Sequence, residues 1–289
     1  MPQVKNNSDK TMQDKVCLVT GANAGLGKAT ALALAHMGGT VIMVARSQAR
    51  GEAALAEVRQ ASGSNNVQLL LADLSSIESV RQLATTVQAS YGRLNVLVNN
   101  AGAVFNDRQV SVDGYEMTFA LNHLSYFLLT NLLLDLLKAS APARIVNVSS
   151  GAHAGSKINF DDIMLAQKYR SFEAYGQSKL ANILFTYELA RRLEGSGVTA
   201  NALHPGGVAT EFAAGEGLMG TIFKLLRPFL LTPEQGAQTQ VYLASSPEVE
   251  GVSGKYFAKK KPVNSSKISY DTAVAQRLWQ VSEELTGLA

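Results

Sequence analysis

The chain has 289 residues, with 26 Lys and Arg against 23 Asp and Glu and a formal net charge of +3. So mild a charge gives no footprint for nucleic acid, and the densest basic run, Lys259 to Lys261, reads as a solvated turn. Apolar residues make up 46% of the chain, enough to bury the core of one α/β domain, while the single cysteine, Cys17, excludes an internal disulfide and points to a reducing, cytoplasmic setting.

In chain order, residues 1–13 (MPQVKNNSDKTMQ) lack the apolar core of a signal peptide and read as a disordered leader, which leaves 14–289 as a single domain. A buried strand is expected at 16–20, running into TGANAGLG and then into the helical pattern KATALALAHM. Gly21, Gly25 and Gly27 suit a tight turn, close backbone approach to a pyrophosphate and close helix–strand packing. Their spacing, G-x-x-x-G-x-G, departs from G-x-G-x-x-G, so a plain strand-to-helix connection is the alternative. The strand–turn–helix context favours the nucleotide reading. A second strand at 40–45 ends on Ala45 and Arg46. An acid there would accept hydrogen bonds from a ribose 2′-hydroxyl, whereas a guanidinium can pair with a 2′-phosphate. This favours NADP(H) over NAD(H), with Arg50 or Lys28 able to share the work. An ordinary surface cation is the plain alternative.

Further strands are expected at 67–72, 96–99, 144–148, 199–203 and 255–258, with helical patterns between them. The stretch 117–134 is uncharged but carries Thr118, Asn122, His123, Ser125, Thr130 and Asn131, too polar for a membrane span. It reads as a buried helix, covered by the sheet on one side and by another subunit on the other. The fifth strand ends in Ser149 and Ser150. Downstream, Tyr175 and Lys179 stand four apart, which on a helix places both on one face, where a Lys ammonium favours the phenolate and lowers the phenol's pKa. Residues 211–235 hold an apolar, glycine-punctuated run with Leu218, Met219, Ile222, Phe223, Leu226 and Phe229. The run reads as a substrate lid walling an apolar pocket, with a core helix or a peripheral membrane contact through Lys224 and Arg227 as alternatives. No His/Cys/carboxylate cluster has metal-ligand spacing, so no metal is expected. Strands alternating with helices make a parallel sheet whose ligands lie at the carboxyl strand ends. Thr20, Asp73, Asn99, Ser150 and His204 all fall there.

Taken together these pieces resemble the short-chain dehydrogenase/reductase family along nearly the whole chain. Thr20 to Gly27 is similar to the family's T-G-x-x-x-G-x-G, Asp73 to its adenine-contacting acid, Asn99 to Gly102 to its N-N-A-G and Asn122 to its active-site asparagine. Ser150, Tyr175 and Lys179 match the catalytic serine and Y-x-x-x-K, and Pro205-Gly206 with Val208 and Thr210 matches the nicotinamide-gripping segment. CLVTGANAGLG, VSSGAHAG, AYGQSKLANILF and NALHPGGVATEF look most like the retinol dehydrogenase-like branch, with light-dependent protochlorophyllide reductase a more distant relative. The resemblance implies one doubly wound Rossmann-type domain with a seven-stranded parallel sheet and helices on both faces. It implies a cofactor site of Gly21, Asn23, Ala24, Gly25, Leu26, Gly27, Arg46, Asp73, Leu74, Asn100, Ala101, Gly102, Tyr175, Lys179, Pro205, Gly206, Val208 and Thr210. It implies hydride transfer between nicotinamide and a carbonyl or alcohol carbon of an apolar, retinal- or retinol-like substrate. Tyr175 would exchange the proton and Ser150 hold the substrate oxygen, with Ser149 as the rival serine. Lys179 would keep the tyrosine acidic, and Asn122 would order a water beside it. In the family the 117–134 helix and the tyrosine helix form a dimer interface, so a homodimer or homotetramer is expected. A dinucleotide-sensing module without catalysis, or an enzyme reducing carbon–carbon double bonds, would share these motifs.

Overall fold

The structure, a computed structural model, describes residues 11–207 and 231–289. Parallel strands β1 (Val16–Thr20), β2 (Thr40–Ala45), β3 (Val67–Leu71), β4 (Val96–Asn99), β5 (Ala143–Val148), β6 (Val198–His204) and β7 (Tyr256–Ala258) alternate with helices. The sheet order is β3-β2-β1-β4-β5-β6-β7-β8. The eighth strand, β8 (Lys261–Pro262), pairs antiparallel with β7 and corrects the expected seven strands. It follows a tight turn at Lys259 and Lys260, whose φ values are +50° and +63°. Winding runs outward in both directions from β1 and β4, which makes the carboxyl ends of these two strands the switch point where α/β sheets bind ligands.

Strand side chains alternate between two cores. Leu18, Ile42, Leu97 and Ile145 face one side, against α3 (Ile77–Ser90), α5 (Ser125–Leu132), α6 (Leu134–Ala139) and α7 (Ser171–Arg192). Cys17, Val19, Val41, Met43, Val96, Val98, Val146 and Val148 face the other, against α1 (Gly25–His36), α2 (Gln48–Ser62) and α8 (Pro233–Ser245). Burial pushes the Cys17 thiol up to about 12, so it is an inert core group. Met12, which the sequence assigns to the leader, is buried and donates its backbone N–H to the Met37 carbonyl, so the folded domain begins before residue 14.

The helical run after β4 departs from a single helix. It consists of a short α4 (Met117–Phe119) capped by the Glu116 carboxylate, a π turn (Ala120–Leu124), then α5 and α6. The C-terminal helix α9 (Thr272–Thr286) packs beside α5 and α7, with the Trp279 ring 4.9 Å from Phe127 and 5.7 Å from Phe185, and the Arg192 guanidinium stacked on it at 4.0 Å. Among the described residues no helix is long and apolar enough to cross a membrane.

Candidate active site

The glycine turn is locked to the end of β4. Thr20 Oγ1 accepts N–H bonds from Asn100 (2.8 Å) and Ala101 (3.0 Å), and Asn100 Nδ2 donates to the Thr20 carbonyl at 2.8 Å. This leaves no room for side chains. A Cβ on Gly21, which has φ +64°, would stand 2.9 Å from Ala101 Cα, and one on Gly27 would stand 2.6 Å from Asn100 Nδ2. Helix α1 then starts at Gly25 with Ala24 as N-cap, no side-chain cap and no acid in its first turn. Its first N–H groups and positive dipole end are free for an anion, with Asn23, Ala24 and Leu26 partly exposed at the mouth. Such a turn fits a pyrophosphate.

At the end of β2, Ala45 is buried and Arg46 is exposed. Among the described residues Arg46 and Arg50 have no ion-pair partner, whereas Lys28 is engaged by Glu57 at 2.6 Å. Asp73, at the end of β3, is half-buried. Its Oδ1 accepts from the Ser75 N–H (3.0 Å) and hydroxyl (2.6 Å), which fixes the carboxylate over the buried Leu74 segment.

Gly102, at the end of β4, links this turn to the tyrosine helix: a Cβ there would stand 3.1 Å from Asn122 Oδ1 and 3.4 Å from Lys179 Nζ. Asn122, in the π turn, accepts from Ala103 N–H (2.8 Å) and donates to the Ala103 carbonyl and Ser178 Oγ, both at 3.0 Å. Its backbone carbonyl accepts from Asn182 Nδ2 at 2.9 Å. Single-turn π segments inside helices recur at functional sites, and here the wider turn brings Asn122 and His123 to bear on α7.

The two serines separate cleanly. Ser149 is buried and spends its hydroxyl on the Lys179 carbonyl at 2.7 Å, while Ser150 is partly exposed, with its hydroxyl bonded to the Tyr175 phenol. Lys179 is buried, with Nζ 5.6 Å from the Tyr175 ring centroid and 3.2 Å from the Val148 carbonyl. Burial lowers its pKa to about 7. Burial raises the Tyr175 pKa, and the hydrogen bond with the Ser150 hydroxyl works against that rise.

Three supporting residues carry no motif of their own. His153 lies beside the Ser150 carbonyl at 2.6 Å through Nδ1 and accepts the Ser266 N–H at Nε2, while His204 Nδ1 accepts the Gly151 N–H at 3.1 Å. Asn182 stands three residues after Lys179, on the same helix face, and that spacing was the available signal for it. Pro205 and Gly206 follow β6, where Gly206 takes φ +93°. Val208, Thr210 and the expected lid up to 230 lie outside the described residues. Beyond them Leu231 donates to the Gly207 carbonyl, and Thr232 with Gln235 forms the capping box that opens α8.

Glycine turn, switch point and the grouped serine, tyrosine and lysine define a nucleotide-dependent oxidoreductase. The family model for short chain dehydrogenases matches residues 15–218. Human retinol dehydrogenase 14 is 48% identical, covering 96% of this chain and 88% of its own. Among solved structures, an uncharacterized protein from Mycobacterium paratuberculosis superposes with a TM-score of 0.78 at 34% identity over 97% of each chain. The NADP complex of Pseudomonas aeruginosa RhlG gives 0.69 at 27% identity, covering 86% of this chain and 96% of the other. The chain belongs to the short-chain dehydrogenase/reductase family, in its retinol dehydrogenase-like branch, and is a dehydrogenase/reductase acting on CH–OH and C=O groups.

Proposed function

We propose that the protein is an NADP(H)-dependent carbonyl reductase or alcohol dehydrogenase for a lipophilic, retinal- or retinol-like substrate, with Ser150, Tyr175, Lys179 and Asn122 as its catalytic set. The observation that carries this reading is the partly exposed Tyr175 phenol bonded to Ser150, with Lys179 Nζ behind its ring and Gly102 joining both to the glycine turn. Bound NADP(H) supplies or takes the hydride at the substrate carbon. Tyr175 Oη gives the substrate oxygen its proton in reduction and takes it back in oxidation. A phenol whose pKa burial has raised is protonated at neutral pH and thus ready as donor. Ser150 Oγ holds that oxygen by a hydrogen bond, and Lys179, titrating near 7, can replace the proton the phenol has lost.

The cofactor preference rests on Arg46, which is exposed, unpaired among the described residues and without an acidic neighbour at the strand end. The names of the human relative and of RhlG's complex support a retinoid-like substrate and NADP respectively. A cytoplasmic location is proposed with them, on the single buried thiol. Assembly as a homodimer or homotetramer is part of the same reading. Steady-state turnover with NADPH and NADH on a panel of lipophilic aldehydes, ketones and enones tests the reading. Carbonyl reduction is expected, with kcat/KM favouring NADPH by about tenfold, the worth of one charge-assisted pair, and with that ratio shrinking in Arg46→Ala. Preference for NADH would overturn the cofactor assignment, and turnover of enones alone would overturn the substrate class.

A further inference from the structure

Three fully buried polar side chains outside the proposed catalytic set connect α9 to the carbonyls around Lys179. Ser282 Oγ lies 3.0 Å from His123 Nε2, and His123 Nδ1 lies 3.2 Å from Asn182 Oδ1. Asn182 Nδ2 then donates to the Asn122 carbonyl at 2.9 Å and to the Val148 carbonyl at 3.3 Å. The Val148 carbonyl, with two lone pairs, is also the acceptor of Lys179 Nζ. We propose that His123 and Asn182 are positioning residues for Lys179, held in place by Ser282 from the C-terminal helix. This rests on the reading of Lys179 as part of the catalytic set.

The protons in this chain follow from the donors and acceptors. Two carbonyls require the NH₂ end of the Asn182 amide, so Oδ1 faces His123 and can only accept. His123 Nδ1 must therefore carry the hydrogen, which makes Nε2 of the neutral ring an acceptor. Ser282 is the hydroxyl that can supply its donor. Its single proton has a competitor, the Leu278 carbonyl at 2.8 Å. Spending it there would leave a buried ring nitrogen without a partner, the costlier outcome. A charged ring is disfavoured as well: the rings of Phe119, Phe127 and Phe185 surround it at 5.0, 6.4 and 6.2 Å, and burial lowers its pKa to about 4. Each link thus has one arrangement, and the amide that shares the Val148 carbonyl with Lys179 is fixed from a helix 159 residues further along the chain.

Ser282→Ala removes the donor with little change in volume, Ser282→Thr keeps it, and Lys179→Ala serves as reference. In Ser282→Ala, kcat is expected to fall about tenfold with both KM values within about twofold, since misplacement of a reacting group costs turnover before binding. Ser282→Thr should restore kcat. Imidazole ¹⁵N spectra should show the Nδ1–H tautomer of His123 in wild type, with the Nε2 resonance moving to that of an unbonded ring nitrogen in Ser282→Ala. If Ser282→Ala does not fold, His123→Gln, which keeps a donor and an acceptor, should turn over faster than His123→Leu, of similar volume, at matched thermal stability. Wild-type kcat in Ser282→Ala, or equal rates for the two His123 variants, would overturn the relay while leaving an inactive Lys179→Ala to uphold the catalytic set. An active Lys179→Ala would overturn both.

Discussion

At the glycine turn the backbone sets position. Thr20 and Asn100 bind main-chain groups across β1 and β4, and Gly21 and Gly27 are packed so closely that a methyl group would collide with Ala101 or Asn100. Across the cleft position is set by side chains: Ser282, His123 and Asn182 contact one another in turn, and Asn182 shares the Val148 carbonyl with Lys179 in a dry interior. The two sides should therefore fail differently. Added bulk damages the first and lowers cofactor affinity. Removal of a donor or acceptor damages the second and lowers turnover.

The sharpest contrast comes from the proton donor. Tyr175→Phe should reduce kcat by about 10²–10⁴, the worth of general acid–base help, while cofactor affinity measured by fluorescence titration stays close to wild type. Parallel loss of both would erase the distinction. Next, Ser150→Ala should cost roughly 10²–10³ in kcat, as for one donor at a reacting oxygen. Ser149→Ala should act mainly on stability, by about 1–3 kcal/mol in a denaturant titration, because it takes a buried donor from the Lys179 carbonyl. The reverse ranking of rates would exchange the two serines. On the other side of the cleft, Gly27→Ala should lower stability by about 1–3 kcal/mol through overpacking and raise the KM for NADPH with kcat at saturation little changed.

The smallest effect at neutral pH concerns His123. Its folded pKa of about 4 lies below the usual imidazole value of 6.5, so below 6.5 the unfolded chain binds a proton that the folded chain refuses. The stability it contributes is complete above pH 6.5 and is lost as pH falls toward 4, with a slope of at most about 1.4 kcal/mol per pH unit. Urea titrations across that window should show a flatter slope in His123→Gln. An unchanged slope would mean that the ring is already charged in the native state.

Strands with continuous apolar runs were legible to the residue: β1 and β4 begin and end where the pattern places them. Their burial on both faces is a property of the residues themselves. The short β8 was not legible, because Lys261 and Pro262 carry no strand signal and pair only after Lys259 and Lys260 have turned the chain. Likewise 117–134 reads as one helix by apolar content, while its division follows from what packs around it. In the site, the residues with motif spacing are brought together among those described. What the letters did not show is that burial raises the Tyr175 pKa while the Ser150 hydroxyl works against it, since both effects depend on how deeply the packing encloses the phenol. Nor did they show His153 and His123 as supports, because each reaches a partner more than 100 residues away, at Ser266 and Ser282.

The π turn at Ala120–Leu124 closes with Ser125 N–H on the Ala120 carbonyl, five residues back instead of four. A turn of that kind holds one residue more than the α-helix around it, so it amounts to a single-codon insertion preserved in the fold. Excision of one residue from this stretch would return the backbone to ordinary α register and keep its hydrogen bonds, but it would rotate the preceding segment by about 100° relative to α5. A protein so shortened is expected to retain the circular dichroism of the parent and lose its turnover.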